Sequence, residues 1–328
     1  MAAPLECSVL VTGAAGYVGS VLCRQLLARG YTVRATDVLL FGGESLLELI
    51  DHPRFTFVQA DLCDPAVLSG LVARMESVVH LAAIVGDPAC KAFPDLATAL
   101  MDHASRGLYA AAQAAGVQHF VFASTCSNYG IMDGDTLLHE DGPLQPQSHY
   151  ARLKVGFERF LLDRPTSAMA ATILRFATAY GPSFRPRFDL TVNHFTRDLT
   201  LGRALHVFGA HLWRPYCHVH DLAAAAALVI DKGPEPVRGR VYNVGDSAEN
   251  YTKEAIITAI RKHVPSGEVS YAASDGGDLR NYRVDFSRIQ AELGFQAEYR
   301  LDDGIASLHR LVASGLLGDP DSPRYRNT

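Results

Sequence analysis

Ser8-Val9-Leu10-Val11-Thr12-Gly13-Ala14-Ala15-Gly16-Tyr17-Val18-Gly19 is the stretch on which the fold turns. Its first five residues are an apolar, β-branched run without alternation, the pattern of a strand buried on both faces. Gly13 ends that run. From Gly16 to Arg29 the apolar residues recur at helical spacing, and Gly30 stands where a helix C′ glycine belongs. Strand, glycine loop and helix in that order offer free backbone N–H groups and the positive end of a helix dipole, a place for a dinucleotide pyrophosphate. The glycines allow the tight turn and the close backbone approach. A glycine triplet alone is weak evidence, and an ordinary βα turn is the competing reading; the strand–loop–helix context carries the argument.

The same alternation continues outward. Thr32–Asp37, Phe55–Ala60, Ser77–Leu81 and Phe120–Ala123 read as further strands, with an Ala-rich helix from Leu96 to Ala115 closed by Gly116. Strands alternating with helices at this spacing predict an α/β fold of the Rossmann type, a doubly wound parallel sheet with helices on both faces. Ala170–Leu174 and Arg240–Val244 still read as sheet strands. Between them lies a stretch rich in Pro, Arg and aromatics, Gly181 to Val219. After Gly245 the pattern gives helices near Lys253–His263 and Ser287–Leu293 and a strand near Val269–Tyr271. We expect a nucleotide-binding domain over residues 1–178, with segments returning at about 215–245. A smaller C-terminal α/β substrate-binding domain is expected mainly over 179–328.

Composition excludes several other classes. With 328 residues, 48% hydrophobic and 20% charged, the chain can bury a large core without staples. The net charge of −5 and the absence of any run of five like charges argue against a nucleic-acid binder. The six cysteines are scattered with no C-x-x-C pair, so they read as free thiols, and no metal site is expected. The chain start lacks a basic n-region, and the apolar stretch Leu222–Ile230 is too short to span a bilayer. The expectation is a cytoplasmic protein without a membrane partner.

Asp37 closes the second strand, where a carboxylate can accept from both adenosine ribose hydroxyls and would repel a 2′-phosphate. Val38-Leu39-Leu40 follow with no arginine, which favours NAD over NADP. The most specific feature is Tyr150-Ala151-Arg152-Leu153-Lys154: positions i and i+4 share one helical face, so an ammonium one turn from a phenol would lower its pKa toward a useful base. Ser124-Thr125-Cys126-Ser127-Asn128-Tyr129-Gly130 lies just upstream, directly after the fifth strand.

The G-x-x-G-x-x-G spacing, that strand end and the Tyr/Lys pair together resemble the extended short-chain dehydrogenase/reductases, in particular the NAD-dependent nucleotide-sugar epimerases and dehydratases. The resemblance spans Ser8 to about Gly294 and is not specific for one reaction. It implies Thr125, Tyr150 and Lys154 as catalytic residues. Cofactor contacts would fall to Gly13, Gly16, Tyr17, Val18, Gly19, Asp37, Asp61, Leu62, Leu81, Ala82, Ala83, Ser124 and Phe176, with Tyr150 and Lys154. Trp213-Arg214-Pro215-Tyr216-Cys217-His218-Val219-His220-Asp221 resembles the family segment whose arginine grips the diphosphate, which implies Arg214. The resemblance also implies Thr178, Asn193 and Arg280, with Thr125, on the substrate side.

This chain departs from the family's pattern at three places. Thr178 stands where relatives carry Asn. The turn Asp275-Gly276-Gly277-Asp278-Leu279 lacks a second diphosphate arginine, for which Arg280 or Arg283 would substitute. Met101 takes the place of an Asn beside the nicotinamide. The resemblance thus implies an NAD-dependent epimerase of a nucleoside-diphosphate sugar, acting at C4 through a 4-keto intermediate, in a homodimer built on the helices near Leu96–Ala115 and Tyr150–Leu162. Rival readings are an NAD(P)H-dependent reductase of a keto-sugar nucleotide, a non-catalytic NAD-binding regulatory protein, and a steroid- or flavonoid-type dehydrogenase with no use for Arg214.

Overall fold

The first half of the chain alternates as expected: β1 (Ser8–Thr12), α1 (Gly19–Ala28), β2 (Thr32–Asp37), β3 (Phe55–Gln59), α2 (Pro65–Val72), β4 (Ser77–His80), α3 (Asp87–Ala92), α4 (Pro94–Thr98), α5 (Ser105–Ala114) and β5 (His119–Thr125). The second half runs β6 (Leu137–Leu138), α6 (His149–Leu162), β7 (Ala170–Phe176), β8 (Thr178–Tyr180), α7 (Thr191–Thr200), β9 (Leu205–Phe208), β10 (Trp213–His218) and α8 (Val219–Lys232). It ends with β11 (Arg240–Val244), β12 (Asn250–Thr252), α9 (Lys253–His263), β13 (Val269–Ala272), β14 (Arg283–Val284), α10 (Ser287–Leu293) and α11 (Leu301–Ala313). These elements come from a computed structural model that describes residues 7–131, 136–164, 168–272 and 280–327.

Seven strands form one parallel sheet in the order β11-β7-β5-β4-β1-β2-β3. The order reverses between β1 and β4, and ligands of such sheets lie beyond the carboxyl ends at that point. Register aligns those ends: Thr12 pairs with Thr36 and His80, and Thr125 pairs with Phe176. One face of the sheet is covered by α1, α8 and α10 through Val21, Leu22, Leu222, Ala226 and Ile289. The other is covered by α2, α5 and α6 through Leu68, Leu108 and Phe157. A separate core in the second half of the chain is built by α7, α9 and α11.

Several expectations are corrected. α1 starts at Gly19, so residues 16–18 belong to the loop. The expected helix from Leu96 to Ala115 is composite: a π-helical turn at Ala99–Ala104 separates α4 from α5, and Ser105 Oγ donates to Leu100 O at 3.0 Å across the widened turn. The return to the large sheet begins with α8 rather than at residue 215, because β10 pairs with β8 and β12 in a small sheet of its own. Leu222–Ile230 lies within α8, apolar all round because it is buried between the sheet and its neighbours. α7 escaped notice because its buried face carries Asn193, Thr196, Arg197 and Asp198. Of Val155, Phe157, Phe160 and Leu161 on α6, one of the helices expected at the dimer interface, all but the half-buried Phe160 are taken up by the protein's own core. Among the described residues no helix is long and apolar enough to cross a membrane.

Burial of three histidines predicts acid lability. His80 sits between Thr12 Oγ1 (2.8 Å) and Ser105 Oγ (2.9 Å), and His119 pairs with Thr172 Oγ1 at 2.9 Å. Burial pushes His80 and His218 down to about 3 and His119 down to about 4. A depressed folded-state pKa leaves stability untouched above the unfolded value, near 6.5. Stability is then lost as pH falls below it, by about 2 kcal/mol per histidine at pH 5. Asp221, raised by burial to about 6, acts in the opposite sense over part of the same range. The urea midpoint is expected to be flat from pH 7 to 8 and to fall steeply between pH 6.5 and 5; a flat profile across that interval would contradict the assignment.

Candidate active site

The nucleotide end is built from backbone. Gly13 has φ +69°, and a Cβ there would meet Ala82 N at 2.9 Å, so the loop lies tight against the end of β4. A Cβ on Gly19 would collide with Gly13 O and Ala14. Gly16 N donates to Gly13 O at 3.1 Å, and Val18 precedes the first turn of α1. Asp37 sits across this loop: Oδ2 accepts from Ala15 N at 3.0 Å and Oδ1 from Leu39 N at 2.9 Å. Burial raises its carboxyl, against the pull of those N–H groups. Each oxygen keeps a lone pair for a ribose hydroxyl. Leu81 N and Ala82 N donate to Thr12 O and Thr12 Oγ1 at 3.2 Å each, which holds Leu81, Ala82 and Ala83 along the same edge. A cradle that only glycine permits, with a carboxylate beside it, fits a dinucleotide.

Four expected cofactor residues do other work with their side chains. Tyr17 crosses to the substrate side, donating to Gly181 O and accepting from Asn193 Nδ2 at 3.1 Å. Ser124 Oγ turns inward to Glu158 Oε1. Leu62 is buried in the core beneath the sheet edge, while Asp61 Oδ1 caps its own turn by accepting from Cys63 N at 2.9 Å. Phe176 is half-buried at the end of β7.

The expected catalytic residues lie on β5 and α6. Ser148 caps α6 by accepting from Ala151 N at 3.1 Å, which sets Tyr150 and Lys154 on consecutive turns. Lys154 Nζ donates to Ala123 O at 2.7 Å and so fixes α6 against the end of β5, two residues before Thr125. Thr125 Oγ1 accepts from Ser127 N at 3.1 Å and pairs with Ser127 Oγ at 2.9 Å. The expected lowering of the phenol by Lys154 is not what the structure shows. Burial pushes Tyr150 up, the charges of Cys90 and Asp87 add to it, and Arg187 and Arg280 oppose it. The ammonium lies 5.9 Å from the Tyr150 ring centroid, turned toward the strand, and burial brings Lys154 itself down to about 8. Met101 is buried with Cys90 and Ala97, and Tyr150 packs on that cluster.

On the substrate side the structure brings Arg214 and Arg280 together, since Arg214 Nη1 donates to Arg280 O and to Trp213 O (2.8 Å). Thr178 is half-buried at the start of β8. Asn193 is not open to a substrate as expected: its Oδ1 accepts from Gly181 N at 2.9 Å and its Nδ2 serves Tyr17 Oη and Arg187 O, all fully buried. It is a brace. The turn 275–279 lies outside the described residues. Sequence reasoning, which expects the loop from Gly86 to Lys91 to face the sugar without saying what it reads, gives no role to Asp87, whose Oδ2 meets Arg280 Nη2 at 2.8 Å, nor to the buried pair Arg175–Glu158 at 2.7 Å beneath Ser124 and Asn128.

A sequence model described as the NAD dependent epimerase/dehydratase family matches residues 9–245, well over half of the chain. The chain belongs to that family. Among its relatives, a UDP-glucose 4-epimerase of Mycolicibacterium smegmatis is 34% identical over 305 residues, covering 90% of this chain and 96% of the relative. A dTDP-glucose 4,6-dehydratase of Streptomyces griseus is 32% identical over 308 residues, covering 91% and 92%. A solved structure of UDP-glucuronic acid 4-epimerase from Bacillus cereus, in complex with UDP-glucuronic acid and NAD, superposes with a TM-score of 0.84 at 26% identity, covering 94% of this chain and 99% of that one. As a member of the epimerase/dehydratase family, the protein is a nucleotide-sugar enzyme of the epimerase or dehydratase type.

Proposed function

We propose that this protein is an NAD-dependent 4-epimerase of a nucleoside-diphosphate hexose. The observation that carries the choice is the residue after Thr125. A 4,6-dehydratase must remove the C5 proton and protonate the departing C6 hydroxyl, and the family resemblance implies an Asp-Glu pair there in a dehydratase. Here Cys126 is 1% exposed, its Sγ donates to Arg175 O at 3.2 Å, and burial pushes the thiol well above its ordinary value. Ser127 is too weak an acid to replace the pair.

Gly13, Gly16, Gly19 and Asp37 would hold the dinucleotide, and bound NAD would supply a reversible hydride acceptor. Tyr150 Oη takes the proton of the C4 hydroxyl and later returns it. Thr125 Oγ1 shares the hydrogen bond to that oxygen. Arg214 holds the diphosphate by its guanidinium fork, and Arg280, ion-paired to Asp87, stands beside it through its carbonyl. The test is incubation with UDP-glucose and dTDP-glucose, read by NMR and mass spectrometry. C4 epimers should interconvert at unchanged mass without net NADH consumption. A product lighter by one water would overturn the reading for dehydration, and stoichiometric NADH loss would overturn it for reduction.

The homodimer is also our proposal. It rests on the small exposed side chains of Ala110 and Ala114 on α5 and on exposed Leu96 on α4 and Leu162 on α6. Light scattering at micromolar concentration should give twice the 35.5 kDa chain mass; a strictly monomeric mass would overturn it.

A further inference from the structure

Asp87 opens α3 directly after Gly86, whose φ of +103° turns the chain away from the end of β4. α3 packs on α6, and Cys90, three residues on, belongs to the cluster that supports the Tyr150 ring. Asp87 uses one carboxylate oxygen only. Its Oδ2 is paired with Arg280 Nη2 at 2.8 Å, while its Oδ1 is buried and has no hydrogen-bond partner among the described residues. A buried acceptor left unmade is costly, so such an atom in a folded protein points to a donor that arrives later. Both members of the pair lie within electrostatic reach of the phenol, Asp87 raising it and Arg280 lowering it.

Both guanidiniums that the phenol feels are matched by a carboxylate. Arg280 is matched by Asp87. Arg187, the other guanidinium that the phenol feels, is held by both oxygens of Asp189, at 3.0 and 2.6 Å. An approaching sugar therefore meets an unsatisfied acceptor, and each of these two guanidiniums already has its own carboxylate. A hydroxyl satisfies that acceptor; a sugar carboxylate would face it with like charge.

We propose that Asp87 is a specificity-determining residue: its Oδ1 accepts a hydrogen bond from a hydroxyl of the hexose, so the site takes neutral hexoses and rejects uronates. Arg280 holds the other oxygen and fixes the carboxylate's orientation, and its own carbonyl is held by Arg214 of the proposed diphosphate site. Diphosphate grip and sugar reading are thereby joined through one residue. The inference rests on the nucleotide-sugar reading above.

The experiment uses the full chain with NAD added. KM and kcat are measured for UDP-glucose and UDP-glucuronate, or for the corresponding dTDP pair where thymidine is preferred, and the affinity for the bare nucleoside diphosphate is measured by calorimetry. The wild type should favour the neutral sugar by at least about tenfold in kcat/KM. Asp87→Ala should raise KM for the neutral sugar about tenfold and leave nucleoside-diphosphate affinity within about twofold. Asp87→Asn keeps an acceptor oxygen without the charge, so it should hold the neutral sugar better than Asp87→Ala does while losing the discrimination against uronate. An unchanged KM and an unchanged neutral-to-uronate ratio in Asp87→Ala would overturn the inference while leaving the epimerase reading standing, as would a wild type that prefers the uronate. A wild type that binds neither sugar nucleotide overturns both.

Discussion

Tyr150→Phe should lose at least about 100-fold in turnover while keeping its fold and its NAD, the usual scale for removing a general base. The substitution deletes one oxygen and leaves the ring in its place against Cys90, Ala97 and Met101. The cradle of Gly13, Gly16 and Gly19 with Asp37 does not depend on it, so cofactor released by heating should match wild type. The thermal midpoint should stay within a few degrees. Because burial raises the phenol in the unliganded site, turnover of the wild type should climb as pH rises above neutrality, and Tyr150→Phe should abolish that climb along with the rate. A variant that keeps more than about a tenth of wild-type turnover removes Tyr150 from the role.

The parts of this site that were legible in the sequence, and the parts that were not, have physical causes. Four strands were placed almost to the residue: β1 and β7 by apolar runs buried on both faces, and β2 and β11, whose sequences are mixed, by their place in the alternation of strands and helices. The bounds of α9 and α10 also hold. Tyr150 and Lys154 were placed correctly on one helical face because i and i+4 spacing is a local property. Their electrostatics were not, because burial is a tertiary property. The local rule puts the Lys154 charge to work on the phenol, whereas the folded chain spends it on Ala123 O. The side chains of Ser124 and Asn193 are engaged elsewhere for a related reason. Each is a polar residue at the right point of a motif, and each has its hydrogen bonds taken by groups outside that motif, Glu158 for one and Gly181 with Arg187 for the other. Asp87 and Arg280 stand far apart in the chain, so nothing short of the fold could join them.

The pair beneath the site should dominate its stability. Glu158 and Arg175 have side-chain exposures of 1% and 4%, and the guanidinium grips the carboxylate through Nε and Nη2. Glu158 Oε1 also accepts from Asn128 Nδ2 at 2.9 Å and from Ser124 Oγ, while Arg175 Nη1 donates to Tyr129 Oη and Glu140 O at 3.0 Å each. Glu158→Gln preserves the shape and removes the charge, and its amide would set donors against the guanidinium's own. The result is a buried arginine without its paired carboxylate, a change that costs about 3–5 kcal/mol. Against a total stability of about 5–15 kcal/mol that is a large fraction, and the urea midpoint should fall accordingly with little change in slope. Turnover should fall as well, since Ser124 and Asn128 flank Thr125 and lose their anchor. The double variant Glu158→Leu with Arg175→Met separates charge from packing. It removes both ions together and should recover much of the lost stability, as apolar replacements of buried ion pairs often do, but not the turnover, because Ser124 and Asn128 remain unheld. Glu158→Gln within about 1 kcal/mol of wild type, well short of the cost of an unpaired buried charge, would mean that water reaches the pair and that the strand end carrying Thr125 is positioned by something else.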